Sequence, residues 1–143
     1  MCLESNFKKV NYVIYDYVIL GSRRFRDKAN QIGQRIISNG FHVKLINESA
    51  PRIETDGIDV LRELKTKYQK QHFEAIRTCK QGVILCNFNN YIGLNTKAEL
   101  IFANAYDIPI FAIEPVESQE EEIRILNIQL LKLSEICKNQ LDL

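Results

Sequence analysis

Residues 17–24 read YVILGSRR, and this stretch decides the fold that the sequence predicts. Its first four residues, Tyr17 to Leu20, are apolar at every position, which is typical of a strand covered on both faces in a parallel sheet. The apolar run stops at Gly21-Ser22. A second run of the same kind, Val83 to Cys86, ends in the polar loop Asn87 to Gly93. The sequence therefore predicts two buried strands, each followed by a polar turn.

Three segments between the predicted strands carry apolar residues at helical spacing. The first follows the Gly21 turn, carries Ala29, Ile32, Ile36 and Ile37 on its apolar side, and ends at Asn39-Gly40, a pair typical of a helix C-terminus. The second runs from about Ile58 to Cys79. Its basic residues Arg62, Lys65, Lys67 and Lys70 are interpreted as a solvated face, and the alternative is a binding patch. The third begins near Asn95 or Thr96. Its predicted apolar stripe consists of Ala98, Ile101, Phe102 and Ala105.

The remaining segments complete an alternation of strands and helices. The further predictions are strands at Phe41–Ile46, Ile108–Ile113 and Ile128–Leu131, helices at Ser118–Glu122 and Ser134–Gln140, and a strand or lead-in at Val10–Tyr15. This alternation predicts an α/β protein, a Rossmann-like three-layer sandwich with a mainly parallel sheet of about five strands. A length of 143 residues fits one domain over residues 1–143.

Composition excludes several classes of protein. With 45% apolar and 26% charged residues, the chain can bury a core, so a disordered chain is excluded. A net charge of +1 supplies no field for holding duplex nucleic acid by its phosphates. No apolar run reaches the roughly 18 residues that a membrane span needs, and the first ten residues lack the apolar centre of a signal peptide. We therefore expect a cytoplasmic protein with no membrane partner.

The cysteines and histidines predict neither a metal site nor a disulfide framework. The four cysteines lie far apart and form no C-x-x-C pair, and the chain has two histidines. The cysteines are interpreted as three buried thiols and a free one near a terminus. We expect no metal and no cofactor.

The loops after the strands are the candidate site, because ligands of open parallel sheets bind beyond the carboxyl ends of the strands. The loop Gly21–Phe25 suits an anion: Gly21 admits a close backbone approach, Ser22 offers a hydroxyl, and Arg23 or Arg24 offers a charged fork. The alternative is a tight turn with two surface arginines. The loop matches neither G-x-G-x-x-G nor a P-loop, so it carries no dinucleotide fingerprint.

The second loop leads to Glu99, the candidate catalytic residue. A carboxylate near a strand end could attack a sugar carbon or activate water. The alternative is that Thr96 to Glu99, T-K-A-E, forms a capping box whose side chains only satisfy helix N–H groups. Tyr91 could stack on a base or pack within its loop. A third loop, Glu114-Pro115, follows the strand predicted at Ile108.

Residues 87–105, NFNNYIGLNTKAELIFANA, followed by Asp107 to Ile110, resemble the nucleoside 2-deoxyribosyltransferase-like family. The shared features are a strand-end Asn, a Y-I-G turn, a Thr with a Glu three residues later, an A-x-A helix and a strand that begins like K-P-I. The loop Gly21–Phe25 resembles the G-S-R first loop of related Rossmann-like nucleotide-binding proteins. The resemblance covers residues 17–115.

The resemblance implies an N-glycosidic bond as the target. Glu99 matches the helix-borne nucleophile that attacks the anomeric carbon, after which a base leaves and water or a second base takes the sugar. Relatives that act on 5′-monophosphates hold the phosphate near helix starts, and relatives often complete the crevice from a neighbouring subunit, so a homo-oligomer is expected. Ser22, Arg23, Asn95 and Thr96 fit such a phosphate site. The predicted substrate-binding residues place Asn87 and Tyr91 on the base side and Gly21, Ser22, Arg23 and Arg24 on the sugar or phosphate side, and they include Gly93, Asn95 and Thr96.

The sequence departs from the family pattern at two places. Lys80-Gln81-Gly82 stands where the family usually has an acidic residue, and Asn95 stands where Ser or Asp is frequent. Two functions therefore stay open. The first is a nucleoside or 5′-nucleotide N-glycosidase or deoxyribosyltransferase; the second is a non-catalytic nucleotide sensor that uses the same crevice. A third, weaker possibility is a purely structural partner protein.

Overall fold

The computed structural model describes residues 13–47 and 57–138, and the structural statements below concern those residues. Cys2 lies outside the described residues. So do residues 10–12 of the predicted lead-in, residues 48–56 of the polar loop, and residues 139–140 of the last predicted helix. Residues 13–15 are not part of a strand.

The core of the fold is a five-stranded sheet in which all paired strands are parallel. The strands are β1 (Tyr17–Leu20), β2 (Val43–Lys44), β3 (Gly82–Leu85), β4 (Ile110–Ala112) and β5 (Ile128–Leu130). Their order across the sheet is β2-β1-β3-β4-β5. This arrangement confirms the predicted Rossmann-like α/β class, in its flavodoxin-like strand order.

Helices cover both faces of the sheet, which makes three layers. The helices are α1 (Arg26–Ser38), α2 (Ile58–Thr78), α3 (Leu94–Ala105), α4 (Glu121–Arg124) and α5 (Leu133–Ile136). Alternate strand residues point to opposite faces, so Ile19 packs with α1 and α5 while Val18 packs with α2, α3 and α4. This division follows from right-handed crossovers, because the chain moves one way from β1 to β2 and the other way from β2 onward.

Strand β2 is shorter than the predicted segment Phe41–Ile46, because the backbone of Ile46 is bonded by the side chain of Asn30 and not by a neighbouring strand. The Asn30 amide in α1 donates to the Ile46 carbonyl (3.0 Å), and its oxygen accepts from the Ile46 N–H (2.8 Å). The chain therefore leaves the ladder after Lys44 while its backbone groups stay satisfied. Ile46 and Asn47 are thereby directed towards the carboxyl edge of β1.

The apolar stripe predicted on α3 is not the side of the helix that the core buries, because the helix is rotated relative to it. The residues of α3 that the core buries are Thr96, Leu100 and Ala103. Ile101 is 44% exposed, and Ala98 and Ala105 are exposed as well. Since α3 has small or apolar residues on more than one side, the packing against α2 and β4, not the periodicity, selects the buried side.

Two smaller predictions are corrected. Ile37, assigned to the buried side of α1, is 37% exposed. Cys86 and Cys137 are buried, whereas Cys79 is half-buried; all three are free thiols. Within the described residues no group of His, Cys, Asp and Glu could hold a metal ion. In the same ranges no helix is both long enough and apolar enough to cross a membrane.

Candidate functional site

A cavity of about 230 Å³ opens at the carboxyl edge of the sheet, beside β1. Strands β1 and β3 are paired there, with Leu20 opposite Leu85, so the turns that follow them lie side by side. The chain crosses from β1 to one side of this pair and from β3 to the other, which makes it the topological switch point where open α/β sheets bind ligands. The size of the cavity suits part or all of one small molecule.

The walls of the cavity come from the turn after β1, the segment after β2, one side of α2 and the start of α3. The polar lining residues are Arg23, Asn47, Lys65, Tyr68, Gln69, His72, Asn95 and Glu99. Apolar parts of the wall come from Ile19, Ile46 and Phe73. Polar side chains that converge on a cavity with apolar parts in its wall can fix the orientation of a ligand.

Glu99 forms a close pair with His72 on the cavity wall. Its Oε2 lies 2.7 Å from Nε2 of His72, and the two side chains are 16% and 19% exposed. Helices α2 and α3 pack side by side, with the rings of Phe73 and Phe102 4.6 Å apart, and this contact holds the pair together. The arrangement is a carboxylate oriented by an imidazole, which suits a nucleophile or a general base.

The capping-box interpretation of Glu99 is wrong. Helix α3 begins at Leu94, Gly93 is its N-cap, and the structure shows no capping hydrogen bond from a side chain there. Thr96 therefore lies inside the helix, where it is 3% exposed. The carboxylate of Glu99 is free of the helix terminus and pairs across to α2 instead.

Lys44 is a cationic neighbour of Glu99. Burial lowers the pKa of the Lys44 ammonium, and the negative charge of Glu99 opposes that shift. The ammonium nitrogen also stands 5.9 Å from the centre of the Tyr15 ring. Glu99 thus has His72 at hydrogen-bond distance and the charge of Lys44 within electrostatic reach.

The turn after β1 brings Gly21 and Arg23 to the cavity. A Cβ atom at Gly21 would lie 3.3 Å from the Cys86 carbonyl oxygen and 3.6 Å from Cδ1 of Ile46, so a side chain there would crowd the turn. The Ser22 hydroxyl accepts from the Arg24 N–H (3.2 Å), and the Ser22 carbonyl accepts from the Phe25 N–H (3.0 Å). The N–H groups of Arg24 and Phe25 are therefore already bonded within the turn.

The loop after β3 is hydrogen-bonded to the segment after β4 and does not line the cavity. Asn87 is fully buried; its amide donates to the Glu114 carbonyl (3.0 Å), and its oxygen accepts from the Glu114 N–H (3.1 Å). Tyr91 is 38% exposed, and its ring carries the Arg24 guanidinium at 4.5 Å from the ring centre. Both groups lie at the same edge of the sheet as the cavity, on the β3 side.

The structure therefore divides the residues predicted for the site into two groups. Gly21, Arg23, Asn95 and Glu99 share the cavity. The others lie outside its lining: Ser22, Arg24, Asn87, Tyr91, Gly93 and Thr96. Their assignment to substrate binding stays a prediction.

The position that lacks the family's acidic residue lies at the opposite end of the sheet. The N–H groups of Lys80 and Gln81 donate to the carbonyls of Tyr15 and Asp16, at the amino ends of β1 and β3. The cavity lies at the carboxyl ends. A carboxylate at Lys80 or Gln81 would face away from Glu99, so its absence removes no group from this cavity.

Sequence reasoning missed the contribution of α2. Lys65, Gln69 and His72 lie at i, i+4 and i+7, which places them on one side of the helix and on the cavity wall. The signal was available as a polar stripe at helical spacing, but the basic run was interpreted as a solvated face. That interpretation holds for Lys67 and Lys70, which are exposed, and fails for Lys65, which is half-buried.

Comparisons with known proteins do not assign the chain to a family. No family model matches the chain. A search of curated proteins gives no match either.

Proposed function

We propose that the chain is a nucleoside or 5′-nucleotide N-glycosidase or deoxyribosyltransferase with Glu99 as its nucleophile. The observation that carries the proposal is the Glu99 carboxylate on the wall of the switch-point cavity, held by His72 at 2.7 Å. The resemblance of residues 87–105 to the nucleoside 2-deoxyribosyltransferase-like family supports the same assignment.

The proposed reaction has two steps. The free oxygen of the Glu99 carboxylate attacks the anomeric carbon, the bond from that carbon to the base breaks, and its electron pair leaves with the base, which takes a proton from solvent. Water or a second base then attacks the anomeric carbon and gives up a proton to solvent, while the bond from that carbon to Glu99 breaks and its electron pair returns to the Glu99 carboxylate. Water in this step yields the free sugar; a second base yields a new nucleoside.

His72 has a positioning role in this proposal. Its N–H group holds one carboxylate oxygen, which fixes the direction of the other and disperses the charge that returns to Glu99 in the second step. Gln69 on α2 and Asn95 on α3 are available to sugar hydroxyl groups, and Tyr68 offers an aromatic ring to the base.

We further propose that a second copy of the chain completes the site. Leu94 is 82% exposed and Ile101 is 44% exposed, and with Ala98 and Ala105 they form an exposed apolar stripe along α3. Ala98 also lines the cavity, so the stripe borders its mouth. A second copy on this stripe would bury apolar surface and close the open side of the cavity at once.

The test is release of free base, measured by chromatography, from a panel of deoxynucleosides, ribonucleosides and their 5′-mono-, di- and triphosphates. We expect wild type to release base from at least one member. Glu99→Gln keeps the size of the side chain and removes its charge, so it should lower kcat by at least about a hundredfold. His72→Gln, which retains a donor, should lower kcat less than His72→Ala does.

Glu63→Gln on the exposed side of α2 is the matched control and should turn over like wild type. Full activity of Glu99→Gln would show that the nucleophile is assigned wrongly. Absence of base release from every member of the panel, with the fold intact, would contradict the enzymatic proposal.

A second candidate is binding without turnover, as a nucleotide sensor. The observation in its favour is that one oxygen of Glu99 is already engaged by His72, so the pair could serve only to order the cavity. In that case a nucleotide raises the melting temperature without release of base, and Glu99→Gln changes binding but no rate. The same panel therefore separates the two candidates.

A further inference from the structure

A depression beside the cavity is surrounded by cationic and aromatic side chains that the proposed reaction does not use. It is lined by residues 23–28, in the turn after β1 and the start of α1. Arg23 lines both the depression and the cavity, so the two are neighbours. We propose that the depression binds a pyrophosphate group, and that the ligand is a nucleoside 5′-diphosphate or triphosphate whose nucleoside lies in the cavity.

The charge of the depression favours an anion. Its lining includes Arg23, Arg24, Arg26 and Lys28 against a single carboxylate, Asp27, which lies 3.4 Å from Arg26. Among the residues that the structure describes, no acidic side chain pairs with Arg23, Arg24 or Lys28. Cations that crowd together without acidic partners repel one another, and a polyphosphate would neutralise them.

Aromatic rings orient two of these cations. The Arg24 guanidinium stands 4.5 Å from the centre of the Tyr91 ring, and Nζ of Lys28 stands 5.8 Å from that of Phe88. Phe25 lies between, with its ring 6.3 Å from Tyr91 and 5.7 Å from Phe88. A stacked guanidinium keeps its in-plane N–H donors available, so Tyr91 presents Arg24 as a fork for phosphate oxygens.

The distribution of the cations argues for more than one phosphate. Arg23 stands at the border of the cavity, where it can meet the first phosphate of a nucleotide. Arg24 and Lys28 line the depression and not the cavity, so they are left for a second phosphate. The nucleoside part of this ligand rests on the proposed function, whereas the pyrophosphate site rests on the depression alone.

The experiment uses inorganic pyrophosphate as the probe, with inorganic phosphate for comparison, in calorimetric titrations of the full chain at low and physiological salt. We expect pyrophosphate to bind at least about tenfold tighter than phosphate, and its affinity to fall as salt rises. The double variant Arg24→Gln/Lys28→Gln should weaken pyrophosphate binding by about tenfold or more. Arg124→Gln/Lys67→Gln, which changes two exposed cations elsewhere, is the matched control and should bind as wild type does.

Three results would overturn the proposal. The first is pyrophosphate binding no tighter than phosphate; the second is unchanged binding by the folded Arg24→Gln/Lys28→Gln variant. The third is a single-stranded oligonucleotide that binds the same residues and that pyrophosphate does not displace, since it would make the depression a nucleic-acid surface.

Glu99→Gln separates this proposal from the proposed function, because it should bind pyrophosphate like wild type whatever its turnover. Pyrophosphate binding through Arg24 and Lys28, with no nucleotide binding more tightly than pyrophosphate, would uphold the anion site and contradict the nucleotide function. Base release without pyrophosphate binding would uphold the enzyme and contradict the anion site.

Discussion

At the scale of single residues, the partner of a side chain decides what that side chain can do. The sequence T-K-A-E allows Glu99 to be a cap or a reactive carboxylate, because both uses need the same residue type at the same spacing. The start of the helix at Leu94 and the presence of His72 on α2 remove the cap. The partner lies on another helix, so no local pattern could have named it.

Cys86 makes a prediction about alkaline stability. Burial raises the pKa of its thiol from 9.0 to about 12. Between those values the unfolded chain loses a thiol proton that the folded chain keeps, so the free energy of unfolding should fall as the pH rises from 9 towards 12. The slope from this one group is at most about 1.4 kcal/mol per pH unit.

The measurement is urea unfolding of wild type and of Cys86→Ala at several pH values between about 8 and 11, a range over which an unperturbed thiol loses its proton. Burial also raises the pKa of Tyr17 and of Cys79, so part of the alkaline fall should persist in the variant. The fall should nevertheless be shallower in Cys86→Ala. Parallel curves for the two proteins would contradict the assignment.

Asn87 makes a second prediction at this scale, because its amide fastens the end of β3 to the chain after β4. Asn87→Ala leaves the N–H and carbonyl groups of Glu114 without these two partners, so it should lower the free energy of unfolding by about 2–4 kcal/mol. Asn87→Asp keeps the acceptor and loses the donor, and it brings a carboxylate against the Glu114 carbonyl.

Chemical denaturation of these variants is the measurement, with the exposed Asn127→Ala as the control. We expect the control to stay within about 0.5 kcal/mol of wild type. If Asn87→Ala matched the control, the two hydrogen bonds would contribute no net stability.

At the scale of elements, the prediction from the sequence agrees best with the structure for the strands that are fully buried. Strands β1 and β3 are buried at every position and were predicted to within one residue. Strand β2 is an edge strand that ends early because Asn30 takes over the backbone groups of Ile46. The orientation of α3 was predicted wrongly because its apolar residues are not confined to one side.

The turn from α2 into β3 makes a prediction at this scale. Gly82 has φ +145°, and a Cβ there would lie 2.6 Å from the Pro109 carbonyl oxygen and 2.9 Å from the Phe111 ring. Backbone cannot move aside as a side-chain tip can, so Gly82→Ala should destabilise the protein by roughly 2–4 kcal/mol.

Gly40→Ala is the control for backbone strain alone, because Gly40 has φ +96° but open space around its Cα. Its cost should be about 1 kcal/mol. Thermal unfolding of both variants is the measurement, and equal shifts in Tm would show that crowding by Pro109 contributes nothing.

At the scale of the whole molecule, the strand order decides where a ligand can bind. The order β2-β1-β3-β4-β5 places the turns after β1 and β3 together and puts α2 and α3 on the same face of the sheet. Only in that arrangement can His72 and Glu99 meet beside Gly21. The alternation of strands and helices in the sequence is compatible with other strand orders, so it could not place this contact.

The proposed second copy makes a prediction at this scale. Ile101→Lys puts a charge in the middle of the exposed stripe on α3, so it should shift an oligomer towards monomer in sedimentation velocity. Ile125→Lys, at a residue that is 72% exposed beyond α4, is the matched control and should leave the assembly unchanged. A wild-type chain that stays monomeric at high concentration would contradict the proposed assembly.

The sequence by itself determined the class of fold and the edge of the sheet at which the cavity opens. Continuous apolar runs can be satisfied only by burial on both faces, and the polar turns that end them mark the carboxyl ends of the strands. Tertiary structure alone decided that the cavity lies beside β1, that α2 lines it, and that His72 is the partner of Glu99. The physical reason is that helix rotation and strand order depend on packing between segments distant in the chain, which local periodicity does not encode.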